Sequence, residues 1–234
     1  MSSFQEEVKF RIESISKDSN LKRDAHALMR SSITAKYSYN FTWLDRPIIQ
    51  YPQDMVALQE IVWNTRPDLI IETGIAHGGS LILSASMLSL LDYCDAVESG
   101  TLLDPKLLNR KVLGIDIDIR AHNLAAIESH PMAHKIEMIE GSSIAADVIA
   151  RVHAIAKNFR NIMVILDSNH THEHVLAELE AYAPLISAGS YCIVFDTVVE
   201  DLPDSMFPDR PWCKGNNPKT AVWEYLRLLK EDRK

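Results

Sequence analysis

Cysteine is nearly absent from these 234 residues: Cys94, Cys192 and Cys213 are odd in number and far apart. That spacing gives neither a disulfide framework nor a zinc pattern. Positive charge is also short, with 24 lysines and arginines against 32 acids and a net charge of -8. A nucleic-acid backbone is therefore disfavoured as the main ligand, and no nucleic-acid partner is expected. No apolar run approaches the roughly 20 residues that cross a bilayer, so no membrane span is expected. The segment Met1 to Glu7 has neither a basic flank nor an apolar stretch. A secretory signal is not expected there, and a reducing cytoplasm is the expected location. Repeats and low-complexity tracts are missing as well.

What is present is ordinary for a folded domain. Hydrophobic residues make up 47% and charged residues 24%, and the length suits one large α/β domain with its own core. Residues 1–50 read as an N-terminal extension, with a helix over 21–34 and an aromatic segment at Tyr37, Tyr39, Phe41 and Trp43. Those rings either pack on the domain or form a flap over a site. Residues 51–234 are regular. Apolar runs at 69–71, 111–115, 135–139, 162–166 and 190–195 read as strands buried on both faces. Amphipathic stretches at 53–64, 80–91, 121–129, 145–157, 173–182 and 219–230 read as helices. Their alternation predicts a mostly parallel sheet with helices on both faces. Ligands of such sheets sit beyond the carboxyl ends of the strands.

The first strand ends in Glu72-Thr73-Gly74-Ile75-Ala76-His77-Gly78-Gly79-Ser80. Glycines let a backbone approach a ligand closely, and the next helix offers free N–H groups. The spacing is neither the dinucleotide fingerprint nor a Walker loop. An acid entering a glycine loop suits an ammonium or hydroxyl group better than a pyrophosphate. The second strand ends in Asp116-Ile117-Asp118. A carboxylate there can accept both hydroxyls of a ribose, which is assigned to Asp116, while Asp118 is expected to cap the next helix. The third strand ends in Glu140-Gly141-Ser142-Ser143, where small residues leave room for a flat ring. Ser142 can bond an adenine edge, and Ser143 is a candidate helix cap.

The fourth strand ends in Asp167-Ser168-Asn169-His170-Thr171-His172-Glu173-His174, and the fifth in Asp196. Two carboxylates at adjacent strand ends can share a hard divalent cation. The three histidines invite a zinc reading. With no cysteine nearby and several aspartates, magnesium fits the donors better. His170 is expected to touch substrate or metal, and an imidazole poised near neutral pH is suited to take a hydroxyl proton.

Several segments together resemble the cephalosporin hydroxylase / rhamnosyl O-methyltransferase family. They are residues 43–54, the loop 72–80, Asp116 to Arg120, Leu166 to His172, Arg210-Pro211-Trp212 and Asn216-Asn217-Pro218. The resemblance implies a Rossmann-like class I methyltransferase fold and bound S-adenosylmethionine, usually with magnesium. By matching motifs, Glu72, Gly74, His77, Gly78, Ser80, Asp116 and Ser142 would meet the cofactor. Asp167 and Asp196 would hold the metal; on the reading of the residues themselves, Asp167 and His170 are the expected catalytic residues. Arg210 and Trp212 would wall the pocket of a small hydroxylated acceptor, a sugar or secondary metabolite. Two departures stand out. Phe195 occupies a place where the family commonly has an acid, and the antiparallel strand pair that normally follows strand five is missing. The latter would leave strand five as an uncovered edge, so a homo-oligomer is expected. Competing readings are a component serving a hydroxylation with a partner protein, and a cofactor-binding subunit without turnover.

Overall fold

The apolar runs at 69–71 and 111–115 lengthen by one or two residues and, with 162–166 unchanged, become the centre of a five-stranded sheet. The computed structural model describes residues 3–105 and 109–231. The chain divides into two compact units, one up to Tyr39 and one from Asn40 onward. The first unit holds α1 (Ser3–Ile15) and α2 (Ser19–Thr34). The Asp18 carboxylate caps α2 by accepting from the backbone N–H groups of Asn20 and Leu21, a standard way to satisfy donors that a helix start leaves free. α1 was not anticipated: its apolar residues form no buried stripe, and none of them is buried.

The larger unit opens with a short antiparallel pair, β1 (Phe41–Trp43) and β2 (Arg46–Ile48), turning at Leu44 and Asp45, both at positive φ. Then follow α3 (Pro52–Thr65), β3 (Leu69–Thr73), α4 (Gly79–Ser99), β4 (Lys111–Asp116), α5 (Ala121–Glu128), β5 (Ile136–Glu140) and α6 (Ala146–Ala156). The chain continues through β6 (Ile162–Leu166), α7 (His172–Tyr182), β7 (Cys192–Val194) and α8 (Pro218–Glu231). The sheet order is β5-β4-β3-β6-β7, with every pairing parallel. Among the described residues no antiparallel strand joins it; residues 232–234 lie outside them.

Side chains alternate across the sheet as the pleat demands. Ile70, Val112, Met163 and Ile165 face one core with Leu58, Leu81 and Leu88 from α3 and α4. Leu69, Ile71, Leu113, Val164 and Leu166 face the other with Val148, Val175, Leu179 and Ala221 from α6, α7 and α8. Phe41 and Trp43 pack on the first core, and the Trp43 indole donates to Ser86 Oγ at 3.0 Å. For these two rings the packing reading holds. β7 forms one edge, with Cys192 and Val194 against Val222 and Tyr225 of α8. α4 is long and apolar enough to cross a membrane by length and composition, at a mean hydropathy of 1.3. It serves as a core helix here, with Leu81, Ile82, Leu83, Leu88 and Leu91 almost fully buried.

The register sets the stage for a site. Thr73 lies opposite Ile115 on one side and Leu166 on the other. Gly74, Asp116 and Asp167 therefore emerge level with one another, at the point where the chain order reverses between β3 and β6.

Candidate cofactor and metal site

The loop between β3 and α4 is shaped by the protein's own backbone. A side chain at Gly74 (φ +91°) would overlap the Asp167 carbonyl. One at Gly78 (φ +83°) would strike Ile127, and one at Gly79 the backbone of Pro47 and Ile48. The glycines are thus required for close packing between elements, apart from any ligand. Ala76 also takes a positive φ of 46°, an unfavourable state for a residue with a Cβ. It is held from several sides. The Asp116 carboxylate accepts from Ile75 N at 2.7 Å and Ala76 N at 3.2 Å. The Asn123 amide donates to the Ala76 carbonyl at 2.9 Å, and the Arg46 guanidinium donates to the His77 carbonyl. Arg46 also reaches Asn123 Oδ1 at 3.1 Å. Sequence reading missed Arg46 and Asn123, whose partners are 31 to 77 residues away.

Asp116 has a second task in this arrangement. One oxygen holds the loop, and the other accepts from Asp118 N at 3.1 Å. Oδ2 is filled by the two loop N–H groups, and Oδ1 keeps one lone-pair site for a hydroxyl. Asp118 does not cap α5, whose cap position is Arg120; it stands within 4.0 Å of the Arg120 side chain. Ser143 is not a cap either. Its hydroxyl donates to Glu178 Oε1 at 2.5 Å and lies 3.0 Å from His174 Nε2. Glu178, fully buried in α7, also accepts from Ser168 Oγ at 2.6 Å. One carboxylate thereby joins the loops after β5 and β6, and Ser142 is carried on the first of them.

Beside Glu72, a cavity with about 280 Å³ of empty space, counting its open mouth, is lined by Gln50, Asp54, Ser80, Asp167 and Phe195 among others. Glu72 is buried at its floor. Burial pushes its pKa up to about 7, although hydrogen bonds from Ser80 and Ser84 oppose the shift. Burial also lifts Asp167 well above the usual carboxylate range, and the charges of Asp196, Glu72 and Glu178 add to the rise. The Gln50 amide, donating to Asp167 Oδ2 at 3.1 Å, pulls the other way. Asp54 is raised by burial and by Asp196. So many carboxyl groups in one hollow favour a cationic occupant.

The histidines part company. His172 Nδ1 meets Thr220 Oγ1 at 2.9 Å, and His174 joins Glu178. Only His170 turns to Asp196, with Nε2 3.2 Å from Oδ2. Its ring stands edge-on to Trp212, centroids 4.7 Å apart, and the Arg210 guanidinium lies over Trp212 at 5.1 Å. Burial lowers the His170 pKa, while Asp196 opposes that change. Donor atoms of Asp167, His170 and Asp196 all lie within 4.8 Å of one another. Adjacent ligands of an octahedral ion at about 2.1 Å are about 3 Å apart; the His170–Asp196 pair already has that spacing, and the donor set would hold a divalent cation once its wider separations close by up to about 2 Å.

Trp212 reaches this place because the excursion between β7 and α8 is anchored at both ends. Asn217, fully buried, donates to Glu200 Oε2 at 2.6 Å and to the Cys213 carbonyl at 2.9 Å. Its Oδ1 accepts from Lys219 N at the start of α8. Asn216 Oδ1 accepts from His172 N at the start of α7.

A parallel sheet with this order, helices on both faces and a hollow at the switch point make a Rossmann-like class I methyltransferase fold. A solved O-methyltransferase from Bacillus cereus, in complex with SAH, shares the fold at a TM-score of 0.52. It is 15% identical, over 94% of this chain and 84% of that one. The family model described as rhamnosyl O-methyltransferase/CmcI matches residues 35–232, and the chain belongs to that family. Rhamnosyl O-methyltransferase of Mycobacterium leprae (strain TN) is 29% identical over 157 residues, 67% of this chain and 60% of that protein. Its namesake in Mycobacterium tuberculosis (strain ATCC 25618 / H37Rv) is 29% identical over 154 residues, 64% of this chain and 54% of that protein. The chain thus spans little more than half the length of these relatives.

Proposed function

We propose that the chain is an S-adenosylmethionine-dependent O-methyltransferase acting on a hydroxyl of a sugar or secondary metabolite, with a divalent cation assisting. The observation that carries this reading is the meeting of three strand ends at the switch point. The loop 74–80, Asp116 and Asp167 emerge together beside an acid-lined hollow. Family membership and the names of the mycobacterial relatives support the reaction class.

The cofactor would lie across the carboxyl ends of β3, β4 and β5. Asp116 receives a ribose hydroxyl, the Ser142 loop walls the base, and Glu72 and Ser80 face the charged amino-acid end. The bound cofactor supplies an already activated methyl group, so the protein's task is alignment and exclusion of water. Asp167 and Asp196 would hold the cation, magnesium by the family's habit, whose chemistry is to lower the pKa of a substrate hydroxyl. Trp212 meets His170 at right angles, Arg210 lies over the Trp212 ring, and the pair would form a wall for the acceptor.

Calorimetry with S-adenosylmethionine tests the cofactor assignment. Asp116→Ala is expected to weaken binding by roughly tenfold or more, since it removes a charged acceptor for a ribose hydroxyl and the anchor of the loop at Ile75 and Ala76. Unchanged affinity in a variant that melts like the parent would sink the ribose assignment.

A further inference from the structure

The cation site carries a nitrogen donor that its two carboxylates do not need, and that nitrogen is well placed. His170 Nε2 is 3.2 Å from Asp196 Oδ2, close to the spacing of adjacent ligands on one ion. The ring is held in this orientation by the Trp212 edge and is largely shielded, with 16% of its side chain exposed. Phe195, next to Asp196 in the chain and part of the hollow's lining with Asp167, is an apolar ring that offers no ligand atom. Among the described residues, Asp167, His170 and Asp196 are the one group of such side chains whose donors converge this closely. The Gln50 amide N–H donates to Asp167 Oδ2 at 3.1 Å.

We infer that His170 is a direct metal ligand, and that the site therefore prefers a first-row transition cation over magnesium. The inference rests on the proposed cation-assisted reading and deepens it. Magnesium gains little from imidazole, because its preferred partners are oxygens and it holds its water tightly. Transition ions gain more, in the order manganese, iron, cobalt. Two carboxylates and one imidazole leave positions open for solvent and an acceptor hydroxyl on a six-coordinate ion. The zinc reading drawn from three clustered histidines fails, because His172 and His174 are engaged elsewhere.

The test uses the full chain, stripped of metal and titrated calorimetrically with Mg2+, Mn2+ and Co2+. The expected order of affinity is cobalt, manganese, magnesium, with cobalt ahead of magnesium by about tenfold or more. His170→Ala should shrink the cobalt-to-magnesium ratio to within about threefold while the magnesium affinity itself changes little. If that variant fails to fold, electron spin-echo spectroscopy of the unmodified chain with Mn2+ decides alone. Coupling to one imidazole nitrogen is the expected signal, and it should vanish in Asp167→Asn. Absence of nitrogen coupling, or equal affinity for the three ions, overturns the inference. Coupling that persists in Asp167→Asn places the ion elsewhere and overturns it too. S-adenosylhomocysteine binding, measured in parallel without metal, separates the two readings. Its loss would count against the methyltransferase reading and leave the ligand question standing on the spectroscopy.

Discussion

At the scale of single residues, Glu72 makes the most specific claim. Folding raises its pKa from 4.5 to about 7, chiefly through burial. The folded chain therefore holds this proton more tightly than the unfolded chain. The associated stability is fully present below pH 4.5 and is lost as pH rises through 7, by about 3 kcal/mol. Asp167, raised in the same direction, adds its own loss and remains in any Glu72 variant. Urea unfolding in metal-free buffer should thus show the parent falling more steeply than Glu72→Gln between pH 5 and 7.5. Parallel curves would mean that Glu72 is already solvated. Sequence reading found this residue, the loop glycines and Asp116, because strand ends in such sheets are where ligands meet. The structure adds a second reason for the glycines, beside the ligand role read for them. Their close neighbours are Asp167, Ile127 and the β2 backbone, contacts between distant segments that no local pattern reveals. Gln50, Asp54, Asn123 and Glu178 escaped for the same reason.

Elements show the same division between local and distant information. The five strands and six helices of the larger unit stood out in the sequence because each carries its own periodicity. The β1–β2 pair did not: three-residue strands are too short for alternation to register. The excursion from Thr197 to Asn217 was also opaque, since its order comes from the side chains of Asn216, Asn217 and Glu200. A third hidden feature lies at the opposite end of the sheet from the hollow. Lys135, 1% exposed, pairs with Asp92 at 2.5 Å, and Arg110 meets Asp92 at 2.5 Å and Asp95 at 2.7 Å. This knot ties α4 to the starts of β4 and β5. Removing one partner of a buried pair strands the other charge, so Asp92→Ala should cost about 3–5 kcal/mol in chemical unfolding. Asp92→Leu combined with Lys135→Met should recover much of that, because the lysine charge leaves with its partner. A single-variant cost below about 1 kcal/mol would show that water reaches Lys135.

For the whole molecule, strand order decides where function resides. Placing β3 at the centre, with β4 and β6 on either side, creates one reversal point, and the acid-lined hollow sits there. In the proposed reading methyl transfer takes place there, in line with the family to which the chain belongs. The two departures seen in the sequence take physical form at this scale. Phe195 packs on the first core while its neighbour Asp196 turns, at φ 52°, toward His170. β7 ends the sheet among the described residues, with α8 over one of its faces.

Methyl transfer itself is the claim on which the rest depends. The direct measurement supplies S-adenosylmethionine carrying a labelled methyl group to the full chain, with a panel of hydroxylated sugars and secondary metabolites and a divalent cation. Mass spectrometry then follows both products. The expected result is acceptor-dependent formation of S-adenosylhomocysteine, with the label on an acceptor oxygen and the rate falling sharply in Asp167→Asn. A cofactor that binds tightly yet is never consumed with any acceptor or ion would contradict the account, and would make the chain a binding subunit.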